Sequence, residues 1–187
     1  MRLRILLAVL LTTAALAVAN LSVVLAARWQ RTSIRSLQPN SLCAKTEQII
    51  FSCLTKRSGS KAAQIPSKIV SLCASRDLDK DRGYLQYRYG QPGKIELEYP
   101  SLRTGTQPMF QYTHYMRYQV DLTEINFEID GYQYQIFDDY NGEEKRPIST
   151  SGVSVTAPGK AKDVSFVCQT KVKADYRKLD EVLTQEQ

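Results

Sequence analysis

The chain has 187 residues, 43% of them hydrophobic, and a formal net charge of +6, enough for one domain once a leader is set aside. One histidine and four cysteines with no close pair exclude a zinc site of the usual Cys/His spacing. There is no G-x-S-x-G, no H-E-x-x-H and no phosphate-cradling glycine loop, so the commoner hydrolase and nucleotide-binding signatures are missing.

Residues 1–27 combine Arg2 and Arg4 with an uncharged run from Ile5 to Ala27. Small residues at Ala17-Val18-Ala19 and Val24-Leu25-Ala26 suit cleavage, so the segment reads as a signal peptide. The rival reading is an uncleaved inner-membrane anchor, since 5–27 is long enough to span a bilayer and Trp29 suits an interface. Either way the remainder is expected to be periplasmic or secreted, with membrane contact only through that helix. Residues 28–42 are polar and aperiodic and read as a linker, which leaves 43–187 as the folded domain.

Beyond Cys43 the chain is a series of short runs with period two. Gln48 to Leu54 places Ile49, Phe51 and Cys53 on one face, and Lys68 to Ser75 alternates similarly. Between these runs, residues 55–67 read as a polar loop. Asp77, Asp79 and Asp81 have the spacing that opens a calcium loop, but Arg82 stands where that loop needs glycine and Arg88 where it needs a carboxylate. A charged turn is expected instead, with no metal. Tyr84–Tyr89 and Lys94–Tyr99 flank Pro92-Gly93, the chemistry of a type II turn, and read as a hairpin.

Met109 to Val120 reads as one strand whose even positions, His114 among them, share a packed face. Asp130-Gly131 predicts a tight hairpin with Ile129 opposite Tyr132, Phe127 opposite Tyr134 and Ile125 opposite Ile136. Strands at 153–157 and 164–170 come next, and then Tyr176, Leu179 and Leu183 at helical spacing. The fold class predicted is all-β: an antiparallel sandwich or small barrel of about nine strands with a short C-terminal helix.

An even cysteine count in an exported domain predicts two disulfides. Three connectivities are possible for Cys43, Cys53, Cys73 and Cys168. The expected pairing is Cys43–Cys53, closing a short loop, with Cys73–Cys168 tying an early strand to the last.

Charge is segregated. Residues 28–118 hold 15 basic and 6 acidic side chains, whereas 119–144 hold 8 acidic and no basic ones. An exported chain with such an acidic block does not fit a nucleic-acid partner, despite its basic pI. Ten of the eleven tyrosines lie between Tyr84 and Tyr140. Tyr87, Arg88 and Tyr89 alternate across one strand, so part of this group is expected outside as a recognition surface. Glu124, Glu128 and Asp130 are expected on a solvated acidic face. Glu96/Glu98 and Asp138/Asp139 are the carboxylate pairs that a glycan or peptide hydrolase would need.

The segments FSC (51–53), SLCAS (71–75), GYLQYRYG (83–90) and PGKIELEYP (92–100) resemble a family of small, uncharacterised envelope proteins of Gram-negative bacteria. The resemblance covers residues 43–100, implies export and a single domain with a late strand cysteine, here Cys168, and carries no catalytic residues.

The function expected is therefore a non-enzymatic binding domain without cofactor, acting on an envelope protein or cell-wall component. One concrete form is inhibition of a cationic cell-wall hydrolase such as lysozyme by the acidic region 119–144, since complementary charge steers such encounters. The alternatives are a carboxylate-dependent envelope hydrolase and a passive structural part of the envelope.

Overall fold

The computed structural model describes residues 38, 40–59 and 67–183. The leader, most of the linker and part of the 55–67 loop lie outside them. Among the described residues no helix is long and apolar enough to cross a membrane.

The strands are β1 (Glu47–Arg57), β2 (Lys68–Ser75), β3 (Leu85–Gln91), β4 (Lys94–Tyr99), β5 (Gln111–Arg117), β6 (Val120–Ile129), β7 (Tyr132–Asn141), β8 (Ile148–Thr156), β9 (Asp163–Cys168) and the two-residue β10 (Lys173–Ala174). One short helix comes last, α1 (Arg177–Val182). The nine long strands are hydrogen-bonded in the order β4-β3-β2-β1-β9-β8-β7-β6-β5, and β10 lies beside β1. Two meanders, β1 to β4 and β5 to β9, are thus joined where the first strand pairs with the ninth.

Every pairing is antiparallel. Direction therefore alternates along the order, and the two end strands, β4 and β5, run the same way. Closing the sheet would require a parallel pair, which needs a crossover of about a dozen residues or more. The β4–β5 connection, residues 100–110, instead carries a 3-10 turn at Gln107–Met109, and β4 and β5 are not paired. The sheet stays open and folds face to face as a sandwich. Tyr87 on β3 packs against Phe127 on β6 at 4.9 Å, and Tyr99 on β4 stacks on the same ring at 5.8 Å.

The Asp130-Gly131 turn has φ of 50° and 78° at its two central residues and sets the predicted register, with Ile129, Phe127 and Ile125 opposite Tyr132, Tyr134 and Ile136. Gly93 has φ of 82° in the Pro-Gly hairpin. The run Met109–Val120 is not one strand. It breaks at Tyr118-Gln119, where Gln119 takes φ of 59° and Arg117 pairs with Val120. Met116 and Tyr118 are 71% and 83% exposed in consequence.

The sheet faces also correct the disulfide pairing. The bonds are Cys43–Cys73 and Cys53–Cys168, not Cys43–Cys53 and Cys73–Cys168. Cys53 lies in register with Val70 and Tyr89 on the inner, core-facing side, beside Cys168. Cys73 alternates to the outer side, where residues 41–47 cross the sheet as a strap. A bond from Cys43 to Cys53 would have to pass through the sheet.

The strap also moves the domain boundary. Ser41 and Leu42, expected in the linker, are fully buried. The Leu42 N–H donates to Ser71 Oγ at 3.0 Å, and Gln38 Nε2 donates to the carbonyls of Ala44 and Glu47. The folded part begins by Gln38.

At one end α1 plugs the sandwich with Leu179, Val182 and Leu183. Tyr176 Oη donates to Asp138 Oδ2 at 2.8 Å and Tyr112 Oη donates to Asp180 Oδ1 at 3.0 Å, which pins the helix.

Candidate ligand-binding cleft

Among the described residues no helix or loop fills the end of the sandwich away from α1. There β3 and β4 diverge from β7, β8 and β9 around a cleft of about 720 Å³. Alternation along each strand supplies its lining. Tyr87 and Tyr89 face inward from β3, Tyr132 and Tyr134 from β7, and Val155, Val164 and Phe166 from β8 and β9. The two layers touch at its floor, where Tyr87 lies 5.9 Å from Tyr134 and Tyr89 lies 5.7 Å from Phe166. Higher up the rings separate, and Tyr132 and Val164 are 44% and 37% exposed.

Burial pushes the phenols of Tyr87, Tyr89 and Tyr134 above their ordinary value, so they are neutral at pH 7. The lip carries Arg57, Lys160 and Lys162. Lys68 sits 5.4 Å over the Tyr89 ring and is ion-paired with Glu96, the one carboxylate of the lining among the described residues. Among the described residues, no serine, cysteine, histidine or aspartate lines the cleft.

Of the Tyr87–Arg88–Tyr89 surface expected from the sequence, none is a free exterior residue. Tyr87 is 1% exposed and Tyr89 half-buried, both inward. Arg88 points to the outer side and is 3% exposed under the strap. Its guanidinium forks onto Glu47 with two contacts of 2.7 Å, donates to the Leu42 carbonyl at 2.9 Å and reaches Gln86 and Glu98. Burial alone would push the Glu47 carboxyl up. The Arg88 guanidinium, the Tyr84 hydroxyl and the Ala44 N–H outweigh it and hold that carboxyl below its ordinary value. Arg88 is thus a structural ion pair. Cys43, Glu47 and Cys73 are the three potential metal-ligating groups brought together here, but both sulfurs are spent in the disulfide and Glu47 is spent on Arg88.

The acidic residues behave as their alternation suggests. Glu124 is half-buried and Glu128 exposed on the outer side of β6, and Asp130 is exposed in its turn. The carboxylate pairs do not face each other across a site. Glu98 binds Arg88 and Arg103, Glu96 binds Lys68, and Asp138 and Asp139 alternate to opposite sides of β7. Burial, with Glu124 and Asp138 nearby, pushes the Asp139 carboxyl up. Asp138 is held by Tyr176 and Ser151.

His114 is half-buried beside α1 instead of packed in the core, with Nε2 2.9 Å from Asp121 Oδ1. The groove around it gathers Asp121, Asp138, Asp175 and Asp180. In the 77–83 turn Asp79 Oδ1 accepts the N–H groups of Asp81 and Arg82, and Asp79 Oδ2 binds the Arg82 guanidinium. The carboxylate therefore organises its own loop, as the turn reading requires.

The cleft is invisible to sequence reasoning because its parts lie on strands far apart along the chain. The only signal in one dimension is the inward tyrosine parity of β3 and β7. Comparison with protein-family models, with curated proteins and with solved structures finds no match for this chain.

Proposed function

We propose that this chain is an exported, periplasmic, non-enzymatic binding domain whose ligand enters the aromatic cleft opposite α1. The observation that carries the reading is the lining: concave, aromatic and aliphatic, open to solvent, and among the described residues without serine, cysteine, histidine or aspartate. Two disulfides suggest an oxidising, extracytoplasmic compartment. The leader-like residues 1–27 and the resemblance of residues 43–100 to small Gram-negative envelope proteins support the periplasm over other such compartments. Engagement of Glu96 and Glu98 with Lys68, Arg88 and Arg103 favours binding over carboxylate catalysis.

The test uses the purified, disulfide-intact domain and the neutral dye N-phenyl-1-naphthylamine. Saturable, one-to-one fluorescence enhancement is expected. Val164→Glu, which places a charge on an exposed part of the wall, should abolish it while thermal unfolding stays near wild type. No saturable signal, or a signal indifferent to that substitution, overturns the reading.

A second reading has its own observation: Glu124, Glu128 and Asp139 share the outer side of β6 and β7, with no lysine or arginine on those two strands. That face suits a cationic cell-wall hydrolase. Lysozyme slowed by wild type but not by Glu124→Gln/Glu128→Gln would support it, and unchanged lysozyme rates would remove it.

A further inference from the structure

We infer that the cleft takes a single long acyl chain whose carboxylate is held at the lip by Lys160, Lys162 and Arg57, that is, a long-chain fatty acid. The inference rests on the reading of the cleft as the binding site and adds the chemistry of what fills it.

The first ground is capacity. A cleft of about 720 Å³ lies within the range of small-molecule sites, roughly 300–1,000 Å³. Its walls are rings and branched aliphatics, which reward apolar surface removed from water and offer few fixed hydrogen bonds.

The second ground is charge. Lys160 and Lys162 stand together on the loop between β8 and β9, and Arg57 ends β1 next to Phe166, its register partner on β9. Among the described residues no carboxylate lies within ion-pair distance of the Lys160 or Lys162 ammonium, whereas Glu96, the only acid of the lining, is already matched by Lys68. The phenols are protonated and add no negative charge. The lip is therefore net positive over an apolar interior, a field that attracts an anion and repels a cationic amphiphile. Lysine suits this role because its apolar stem lies along the wall while its ammonium stays at the surface. A carboxylate there gains charge-assisted hydrogen bonds that a neutral head does not.

The experiment is calorimetric titration of the disulfide-intact domain with dodecanoate, 1-dodecanol and dodecyl phosphate, and with saturated acids of eight to fourteen carbons. Dodecanoate is expected to bind one to one, about tenfold or more tighter than dodecanol. Affinity should rise by up to about fourfold per methylene until the cleft is full. Lys160→Ala/Lys162→Ala should erase the preference for the acid over the alcohol, and Lys160→Arg/Lys162→Arg should restore it. Both lysines are exposed, so the variants are expected to fold.

Equal affinity for acid and alcohol overturns the carboxylate while leaving the cleft as a binding site. Dodecyl phosphate binding tenfold tighter than dodecanoate overturns the choice of head group. Binding of the neutral dye with none of the three amphiphiles overturns this inference alone. Failure of the dye together with all three overturns the binding-site reading as well.

Discussion

Arg88 is the residue whose setting departs most from its local sequence. In the run YLQYRYG it alternates with tyrosines and reads as the wet side of a strand. In the structure the strap converts that side into a second, polar interior. The guanidinium has a partner for each nitrogen, and Glu47 accepts from Arg88, Tyr84 and the Ala44 backbone. Removing one member leaves a buried, uncompensated charge, so Arg88→Met should cost about 3–5 kcal/mol in urea unfolding. Pairing it with Glu47→Leu should recover part of that loss. Because the folded Glu47 carboxyl sits below its ordinary value, its contribution is complete above pH about 4.5 and is lost as pH falls through the depressed folded value. Glu47→Gln should therefore flatten the acid limb of the stability curve, and an unchanged limb would show that Glu47 is not linked to folding. The clue available in one dimension is parity. Cys73 shares its side of the sheet with Ser71, Gln86 and Arg88, so a partner bonded to Cys73 has to cover them, but spacing alone does not name that partner.

At the scale of elements, the parts with local chemical signatures were legible. Pro-Gly and Asp-Gly fixed two hairpins, and the alternation of Ile125, Phe127 and Ile129 fixed a register that the structure repeats pair for pair. The turn at Tyr118-Gln119 was not legible, because it lacks glycine and its left-handed residue is a glutamine. The helix was visible from Tyr176, Leu179 and Leu183, but its role was not, since plugging one end of a sandwich is a property of the assembled sheet. Leu179 is fully buried at the centre of that plug. Leu179→Ala should cost about 2–5 kcal/mol. It should also loosen the contact between Tyr112 and Asp180, read as faster amide exchange in β5. A cost below about 1 kcal/mol would mean that α1 is only a lid resting on a core complete without it.

For the whole molecule, the two disulfides have unequal tasks. Cys43–Cys73 spans 30 residues and fastens the strap, whereas Cys53–Cys168 spans 115 and fastens the junction of the two meanders. In the chain-entropy account these closures contribute about 3.7 and 4.8 kcal/mol. Cys53→Ser/Cys168→Ser is expected to lower the unfolding midpoint more than Cys43→Ser/Cys73→Ser. Non-reducing peptide mapping should recover Cys43 joined to Cys73 and no Cys43–Cys53 peptide. Equal midpoints would mean that the short bond does more than close its loop, by holding the Arg88 network. The count of two bonds was readable from the sequence and their pairing was not, because pairing depends on which face each cysteine takes.

The junction of β1 with β9 has a bearing on what length of chain each disulfide needs. Within the first meander, residues 47–99, β1 has no partner on the side that β9 occupies and Cys53 has no partner of its own, since both come from beyond residue 162. The sulfurs nearest to Cys53 along the chain are Cys43 and Cys73, and neither is its partner. The strap carries Cys43 over the outer side of the sheet to Cys73, so both lie across the sheet from Cys53 and Cys168. The long bond therefore closes only in a chain that holds both meanders, whereas the short one is complete within residues 43–73.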